Sequence, residues 1–480
     1  MRRYFLPVLL SLLLAGCMVG PNFHRPCAPN TKTYTHAPQP TKTVGKTVKT
    51  QYFVSKADIP GQWWTLYHSP ALNNLIVKGL ANSPNLAAAK ASLRQAQYTY
   101  RAQWGNLMLP QVNGTFSAQR QRFSSATIGD EFPSSIFNTF NATVNVSYTF
   151  DVFGASRRQL EALCAQVDYQ NFQLQAAYLT LTSNIVTTTI TIASLQAQIK
   201  ATHELIQSQA DQLAIVKKQF KLGGASRADV LSQDSQLAST TATLPPLQQS
   251  LAQSRHMLAI LIGELPSESD IPMVELDALI LPGKIPISIP SLLVRQRPDI
   301  RASEALLHAA SAQVGVATAN LYPQITLTGT NYGWTSPVLP HLINPANNIW
   351  GIGGQLLQPI FNGGALRYQR CAAIAAYEQA AAQYKQTVLQ AFKNVADSLR
   401  AVENDAKLLQ AQKWAEVSAR DSLNLTLKQY RLGGVSYLNL LTAQRQYQQA
   451  RIGRIQAQAA RFNDTAALFQ ALGGGWWNVC

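Results

Sequence analysis

Between Phe140 and Phe150 the chain alternates without a break. Phe140, Ala142, Val144, Val146, Tyr148 and Phe150 are apolar, while Asn141, Thr143, Asn145, Ser147 and Thr149 are polar. A period of two assigns one set to each face of a β-strand, so one face is greasy and the other wet. A tilted strand needs about 9–11 residues to cross a bilayer, which is the length of this stretch. Residues 112–122, 325–334 and 349–357 alternate more weakly, and polar loops rich in Pro, Asn and Gly join the four segments into two predicted hairpins. Trp334 and Trp350 suit a membrane–water interface.

After each hairpin the pattern becomes helical. From Ala155 to Leu222 there is no proline, and Ala365 to Leu432 is the same. At about 1.5 Å per residue each predicted helix is on the order of 100 Å long, with no place inside a compact domain. Abundant Ala and Gln allow such helices to pack closely along their length. Leu-Gly-Gly turns end both, because glycine tolerates the left-handed conformation that closes a helix. Returning helices start near Arg227 and Tyr437, and Pro245-Pro246 must interrupt the first of them.

These elements occur twice at a spacing of about 210 residues. Pro84-Asn85-Leu86 matches Pro298-Asp299-Ile300, Leu109-Pro110-Gln111-Val112 matches Tyr322-Pro323-Gln324-Ile325, and the turn at 220–226 matches that at 430–436. The organisation read from this is a leader (1–16), an N-terminal extended tether (17–60), a first repeat (61–270), a linker (271–290), a second repeat (291–475) and a tail (476–480). In the first repeat a β-hairpin (about 111–150) precedes a helical hairpin (about 155–262). In the second the corresponding segments are about 324–358 and 365–472.

Four strands cannot close a barrel, and open edges are not tolerated in hydrocarbon, because each unpaired backbone group costs several kcal/mol. Several chains must therefore share one barrel. Three copies supply twelve strands, enough for a water-filled lumen. Their helical hairpins would form a second, helical tube. The expected fold class is a mixed α and β membrane protein with a tandem internal repeat: a trimeric 12-stranded β-barrel, four strands per chain, continuous with a 12-helix periplasmic α-barrel.

Composition narrows the partners. Charged residues make up 13% of the 480, about half the usual share, and the formal charge is +16. That excess could suit nucleic acid, anionic lipid or anionic cargo. The N-terminus decides against nucleic acid. Arg2-Arg3 followed by an apolar run from Tyr4 to Leu14 reads as a secretory signal, too short to span as a helix. Leu14-Ala15-Gly16-Cys17 resembles the bacterial lipobox, which implies cleavage before Cys17 and lipidation of its thiol. Three acyl chains, at roughly 0.8 kcal/mol per buried methylene, would hold such an end in a bilayer. Met18 stands where inner-membrane lipoproteins often carry Asp, which favours the outer membrane. Cys27, Cys164, Cys371 and Cys480 form no compact framework, and Cys164 and Cys371 read as small buried helix residues.

The order of these features resembles the TolC-like outer-membrane efflux proteins, specifically their lipoprotein branch of the OprM and NodT type. The marks are Leu13-Leu14-Ala15-Gly16-Cys17 with Gly20-Pro21-Asn22, Arg297-Pro298-Asp299-Ile300-Arg301-Ala302-Ser303-Glu304, Pro359-Ile360-Phe361-Asn362-Gly363-Gly364, and Ala471-Leu472-Gly473-Gly474-Gly475-Trp476. The resemblance covers essentially the whole mature chain. It implies a homotrimer in the outer membrane of a Gram-negative bacterium, lipid-anchored and extending into the periplasm. Such a trimer is the passive exit duct of a tripartite efflux pump, joined by a periplasmic adaptor to an inner-membrane transporter. It also implies adaptor docking at the hairpin tips, Lys221, Leu222, Gly223 and Gly224 with Arg431, Leu432, Gly433 and Gly434. The aperture region of the family matches Asp229, Asn439, Thr442 and Arg445. Asn439 and Thr442 stand where relatives often carry Asp. Loss of carboxylates in a constriction weakens attraction for cations, which points to weak cation selectivity or an anionic cargo.

No HExxH, GxSxG or phosphate-binding glycine loop occurs, and the seven His show no ligand spacing, so neither enzymatic activity, cofactor nor metal is expected. A coiled-coil envelope lipoprotein would explain the helices and the anchor but not the alternating strands. The alternative within channels is the outer-membrane duct of a type I protein secretion system.

Overall fold

The computed structural model describes residues 18–38, 41–43, 48–55, 57–124 and 134–478; the lipidation candidate Cys17 and also Cys480 lie outside them. In chain order these residues form β1 (Tyr52–Ser55), α1 (Pro70–Asn82), α2 (Pro84–Met108), β2 (Gln111–Phe123), β3 (Ser135–Phe150), α3 (Ala155–Lys221), α4 (Arg227–Ala242), α5 (Leu244–Leu261), β4 (Lys284–Ile287), α6 (Pro290–Gln296), α7 (Pro298–Ala319), β5 (Gln324–Ser336), β6 (Asn348–Leu357), α8 (Ala365–Arg431) and α9 (Tyr437–Ala471). All four segments read as alternating are strands. The long helices α3 and α8 run 67 residues each. The returning helix breaks at Thr243, between α4 and α5, because Pro245 and Pro246 bring no N–H to continue the ladder.

The chain forms two units. One comprises Met1–Pro26, Ser92–Asn171 and Ala302–Lys385, and its centre is an antiparallel sheet in the order β2-β3-β5-β6. Its inner strands are β3 and β5, so β2 and β6 each keep one edge open. Register shifts at Asn331, which has φ 53°, where Asn145 Oδ1 accepts from the Asn331 N–H.

In this unit residues 18–25 are not the loose tether expected from composition. Val19 N–H donates to Phe153 O, and the buried Arg158 guanidinium donates to Val19 O, Gly20 O and Asn22 Oδ1. Glu161 accepts from Arg158 at 2.7 Å and meets His308 at 2.9 Å, and Phe23 stacks on the His308 ring. Apart from the Arg158–Glu161 pair, these contacts join positions more than 130 residues apart, which no local pattern signals. Cys164 and Cys371 are corrected too: both thiols, with Cys27, are free and exposed on the single chain.

The second unit comprises Cys27–Ala91, Phe172–Arg301 and Gln386–Cys480. Its core gathers Trp63, Tyr67, Ile185, Ile190, Leu258, Ile262, Leu293, Phe462 and Phe469, with Trp63 stacked on Phe469. α3 is rich in β-branched residues here, which weakens its helical preference. The deep burial of Ile185, Val186 and Ile190 overrides that preference, and Thr189 and Thr202 bond the carbonyls four residues back. The RPDI and GGGW marks meet in this unit. Arg297 grips Asp299 with two nitrogens and donates to Ala471 O at 2.9 Å, where α9 ends. Gly474 and Gly475 are left-handed there, and a Cβ on Gly475 would stand 2.4 Å from Ile59 O.

Residues 41–43 and 51–53 bridge each other, and β1 pairs in parallel with β4. Arg461, 2% exposed, fastens them through Gln51 Oε1, Thr43 Oγ1 and Lys49 O. Beside it Asp405 meets Asp464, and burial with that second carboxylate pushes the Asp405 carboxyl up to about 7, against the attraction of Arg461. An acid whose folded pKa lies above its unfolded value favours the folded state at low pH and loses that contribution as pH rises. The melting temperature is therefore expected to rise as pH falls from 8 to 6. Asp405→Asn is expected to flatten the dependence, and equal pH slopes in both proteins would remove this assignment.

Candidate functional site

The sheet's two faces differ in chemistry. Phe140, Val144, Val146, Tyr148 and Phe150 of β3 share a face with Val112 and Phe116 of β2, Leu327 and Trp334 of β5, and Leu356 of β6. Many of these are exposed on the single chain, Val112 at 64% and Leu356 at 65%. Contiguous apolar exposure of this kind marks an interface with lipid or another chain. The opposite face is laced by neutral groups. Thr115 and Thr143 hydroxyls lie 2.9 Å apart, Asn141 donates to Ser117 Oγ and accepts from Thr335 Oγ1, and Thr149 meets Thr326 at 3.1 Å. Every side chain on it is uncharged, because Arg120 and Arg122 are the only charged residues of the four strands and both lie on the apolar face. Phe123, Phe137, Ile349 and Leu357 interrupt its polarity towards the strand ends.

At the other candidate site the two hairpin tips share one local geometry. Gly223 and Gly433 have φ 77° and 75°. Gly224 N–H reaches Gln219 O at 2.8 Å and Gly223 N–H reaches Phe220 O at 3.1 Å; Gly434 to Gln429 O at 2.9 Å and Gly433 to Tyr430 O at 3.0 Å repeat the pattern. Each helix end is thus closed by its own backbone. Nothing lies within 4 Å of a Cβ built on either left-handed glycine, and Leu222 and Leu432 are each 87% exposed. Closing the turn does not require a leucine in water. Lys221 and Arg431 flank these leucines and are exposed as well.

Behind the tips Val216, Tyr437, Leu440 and Leu441 form a small core joining the hairpins. Tyr437 Oη donates to Gln233 Oε1, Tyr430 Oη donates to Gln219 Oε1, and Gln444 Nε2 donates to Gln212 Oε1. Burial, with Tyr430 and Asp229 nearby, lifts the Tyr437 hydroxyl well above the ordinary tyrosine range. This tyrosine–glutamine network is not among the expected site residues. Its signal was present, since Tyr430 and Tyr437 flank the second tip where Phe220 and Arg227 flank the first.

Each aperture candidate has its own local setting. Asp229 closes a capping box, accepting from Ser226 N–H and Oγ while Ser226 Oγ accepts from Asp229 N–H. Asn439 holds the equivalent place after Ser436, where no side-chain cap forms. Thr442 bonds Leu438 O, and Arg445 lines a groove of about 1250 Å³ with Gln198, Thr243, Pro246, Gln412 and Gln456. Among the described residues no hydrogen bond joins these four to one another, no helix is long and apolar enough to cross a membrane, and no group of three or more His, Cys, Asp or Glu is placed to hold a metal.

Comparison with known proteins returns one family model, described as outer membrane efflux protein, which matches residues 75–264 and 289–474. The chain is 30% identical over 469 residues to a probable efflux pump outer membrane protein, TtgC of Pseudomonas putida, covering 97% of this chain and 94% of that one. It is 30% identical over 419 residues to the pyoverdine export outer membrane protein OpmQ of Pseudomonas aeruginosa, covering 86% and 87%. Among solved structures, the outer-membrane channel OprN superposes with a TM-score of 0.86 at 26% identity, over 96% of this chain and all of that one.

Proposed function

Because the chain belongs to the outer membrane efflux protein family, we propose that three copies assemble in the outer membrane as the passive exit duct of a tripartite efflux pump. The observation that carries this reading is the four-stranded sheet with one apolar face, one polar face free of charge, and two open edges. In hydrocarbon those edges need partners, and β6 of one copy against β2 of the next supplies them while leaving both faces unchanged. The polar faces then line a twelve-stranded water-filled lumen, and the α3–α5 and α8–α9 hairpins supply a twelve-helix periplasmic tube in which the two repeats alternate. Cys17 is acylated and holds the mature N-terminus at the membrane. The duct does no covalent chemistry; its work is driven by an inner-membrane transporter. Relatives named for efflux and pyoverdine export favour this over protein secretion.

A periplasmic adaptor docks on Leu222 and Leu432 with their flanking Lys221 and Arg431. Exposed leucines set in a backbone-closed turn fit an apolar socket on a partner. With neither Asn439 nor Thr442 acidic, Asp229 is the one carboxylate among the four aperture candidates, so the duct does not select strongly for cations. Changing Leu222 and Leu432 to Ser is expected to weaken adaptor binding at least tenfold, about 0.7 kcal/mol or more for each leucine, with the trimer and its melting temperature unchanged. Co-purification of crosslinked adaptor reads the first, heat-modifiable gel migration the second. Undiminished adaptor capture would rule out these leucines, and a monomeric wild type would rule out the duct.

A further inference from the structure

Arg120 and Arg122 are the only charged residues in the four strands, and the register puts both on the face that carries Phe116, Val144 and Val112. Arg120 pairs with Asn138 and Arg122 with Ile136, beyond the last aromatic pair on that face, Phe140 beside Ala118. From Phe150 to Phe140 a strand tilted about 40° rises roughly 25 Å, the height of the apolar band of a membrane barrel. Arg120 and Arg122 follow one and two pairs further on. Trp334 is level with Ala142 below them, so aromatic and then cationic layers succeed one another towards the loop end of the sheet. A guanidinium at mid-membrane costs about 2–4 kcal/mol, falling to about 0–1 at the interface. Both side chains are exposed, and among the described residues no carboxylate pairs with either. Two arginines on alternate residues of one face stand about 7 Å apart, a spacing that suits two phosphates or both oxygens of one.

We propose that Arg120 and Arg122 bind the phosphate groups of an anionic lipid headgroup in the outer leaflet. The assignment rests on the reading of the sheet as a membrane barrel. Lipid phosphate satisfies both charges where water is scarce and fixes the height at which the sheet sits. The rival partners in the sequence are Asp130 and Glu131 of the following loop.

The test uses the full-length trimer in detergent, titrated with bisphosphorylated lipid A and with the same lipid stripped of phosphate, binding being read by native mass spectrometry. The wild type is expected to prefer the phosphorylated lipid at least tenfold. Replacing Arg120 and Arg122 by Gln is expected to weaken it roughly fivefold each and roughly 25-fold together. The double Lys variant should stay within about fivefold of wild type, since it keeps both charges. Arg94→Gln on α2 should change nothing. Equal affinity for the two lipids overturns the proposal, as does a double Lys variant no better than the Gln pair. A tenfold gain on changing Asp130 to Asn and Glu131 to Gln also overturns it, because the loop then holds the arginines. A trimer without lipid preference sinks this inference alone, whereas a monomer that is not heat-modifiable sinks the barrel reading beneath it.

Discussion

Val146→Arg is expected to abolish the heat-stable trimer, while Ser147→Arg, one position along the same strand, leaves it assembled. Val146 lies between Val112 and Gly329 on the apolar face, far from either end of the band. A guanidinium there costs about 2–4 kcal/mol in each copy, and the barrel meets that penalty three times. Ser147 faces the opposite way, between Gln111 and Thr328, where a charge meets water. It also places three cations on a neutral wall. Planar-bilayer reversal potentials should show no marked cation preference in the wild type and a shift towards anions in Ser147→Arg. Because one residue flips the face, the pair tests the assignment of inside and outside directly. If both variants assemble equally, the apolar face does not meet lipid. Strong cation selectivity in the wild type would end the reading of the aperture.

Arg297→Ala is expected to destabilise the second unit by about 1–3 kcal/mol, the cost of leaving the buried Ala471 carbonyl unbonded, since Asp299 is 43% exposed and its charge stays in water. The guanidinium is 10% exposed, grips Asp299 twice, and caps the last carbonyls of α9 at Ala471. Without it Ala471 O is left buried and unbonded beside the left-handed glycines. Arg297→Lys should recover part of the loss only, since one ammonium cannot reproduce a planar fork and reach the carbonyl as well. Chemical denaturation midpoints decide the matter. A loss under about 1 kcal/mol would reduce the contact to a surface pair in effect.

What could be read in advance follows from how local the cause is. β3 was legible because period-two alternation over eleven residues admits few alternatives. The break near Pro245 followed from proline's missing donor, and the two tips from glycine. The Arg297 and Gly473–Gly475 segments were legible as marks of a family, yet their physical meaning lies in a contact between positions 174 residues apart. The same holds for Arg158, Glu161 and His308, whose grip on residues 19–23 turned an expected tether into a fastened segment. Asp229 carries a purely local signal instead: Ser226 and Asp229 have the spacing of a capping box, and the structure forms it.

The broken returning helix has a counterpart that is easily overlooked. Thr243, at the junction of α4 and α5, and Gly453, inside the continuous α9, occupy the same place in their respective repeats. One site lacks N–H donors and the other lacks a side chain, with Gln412 Oε1 only 2.8 Å from where a Cβ would be. Both returning helices therefore depart from the ordinary pattern at the same place in the repeat, one by giving up backbone donors and the other by giving up a side chain so that Gln412 of α8 can come close.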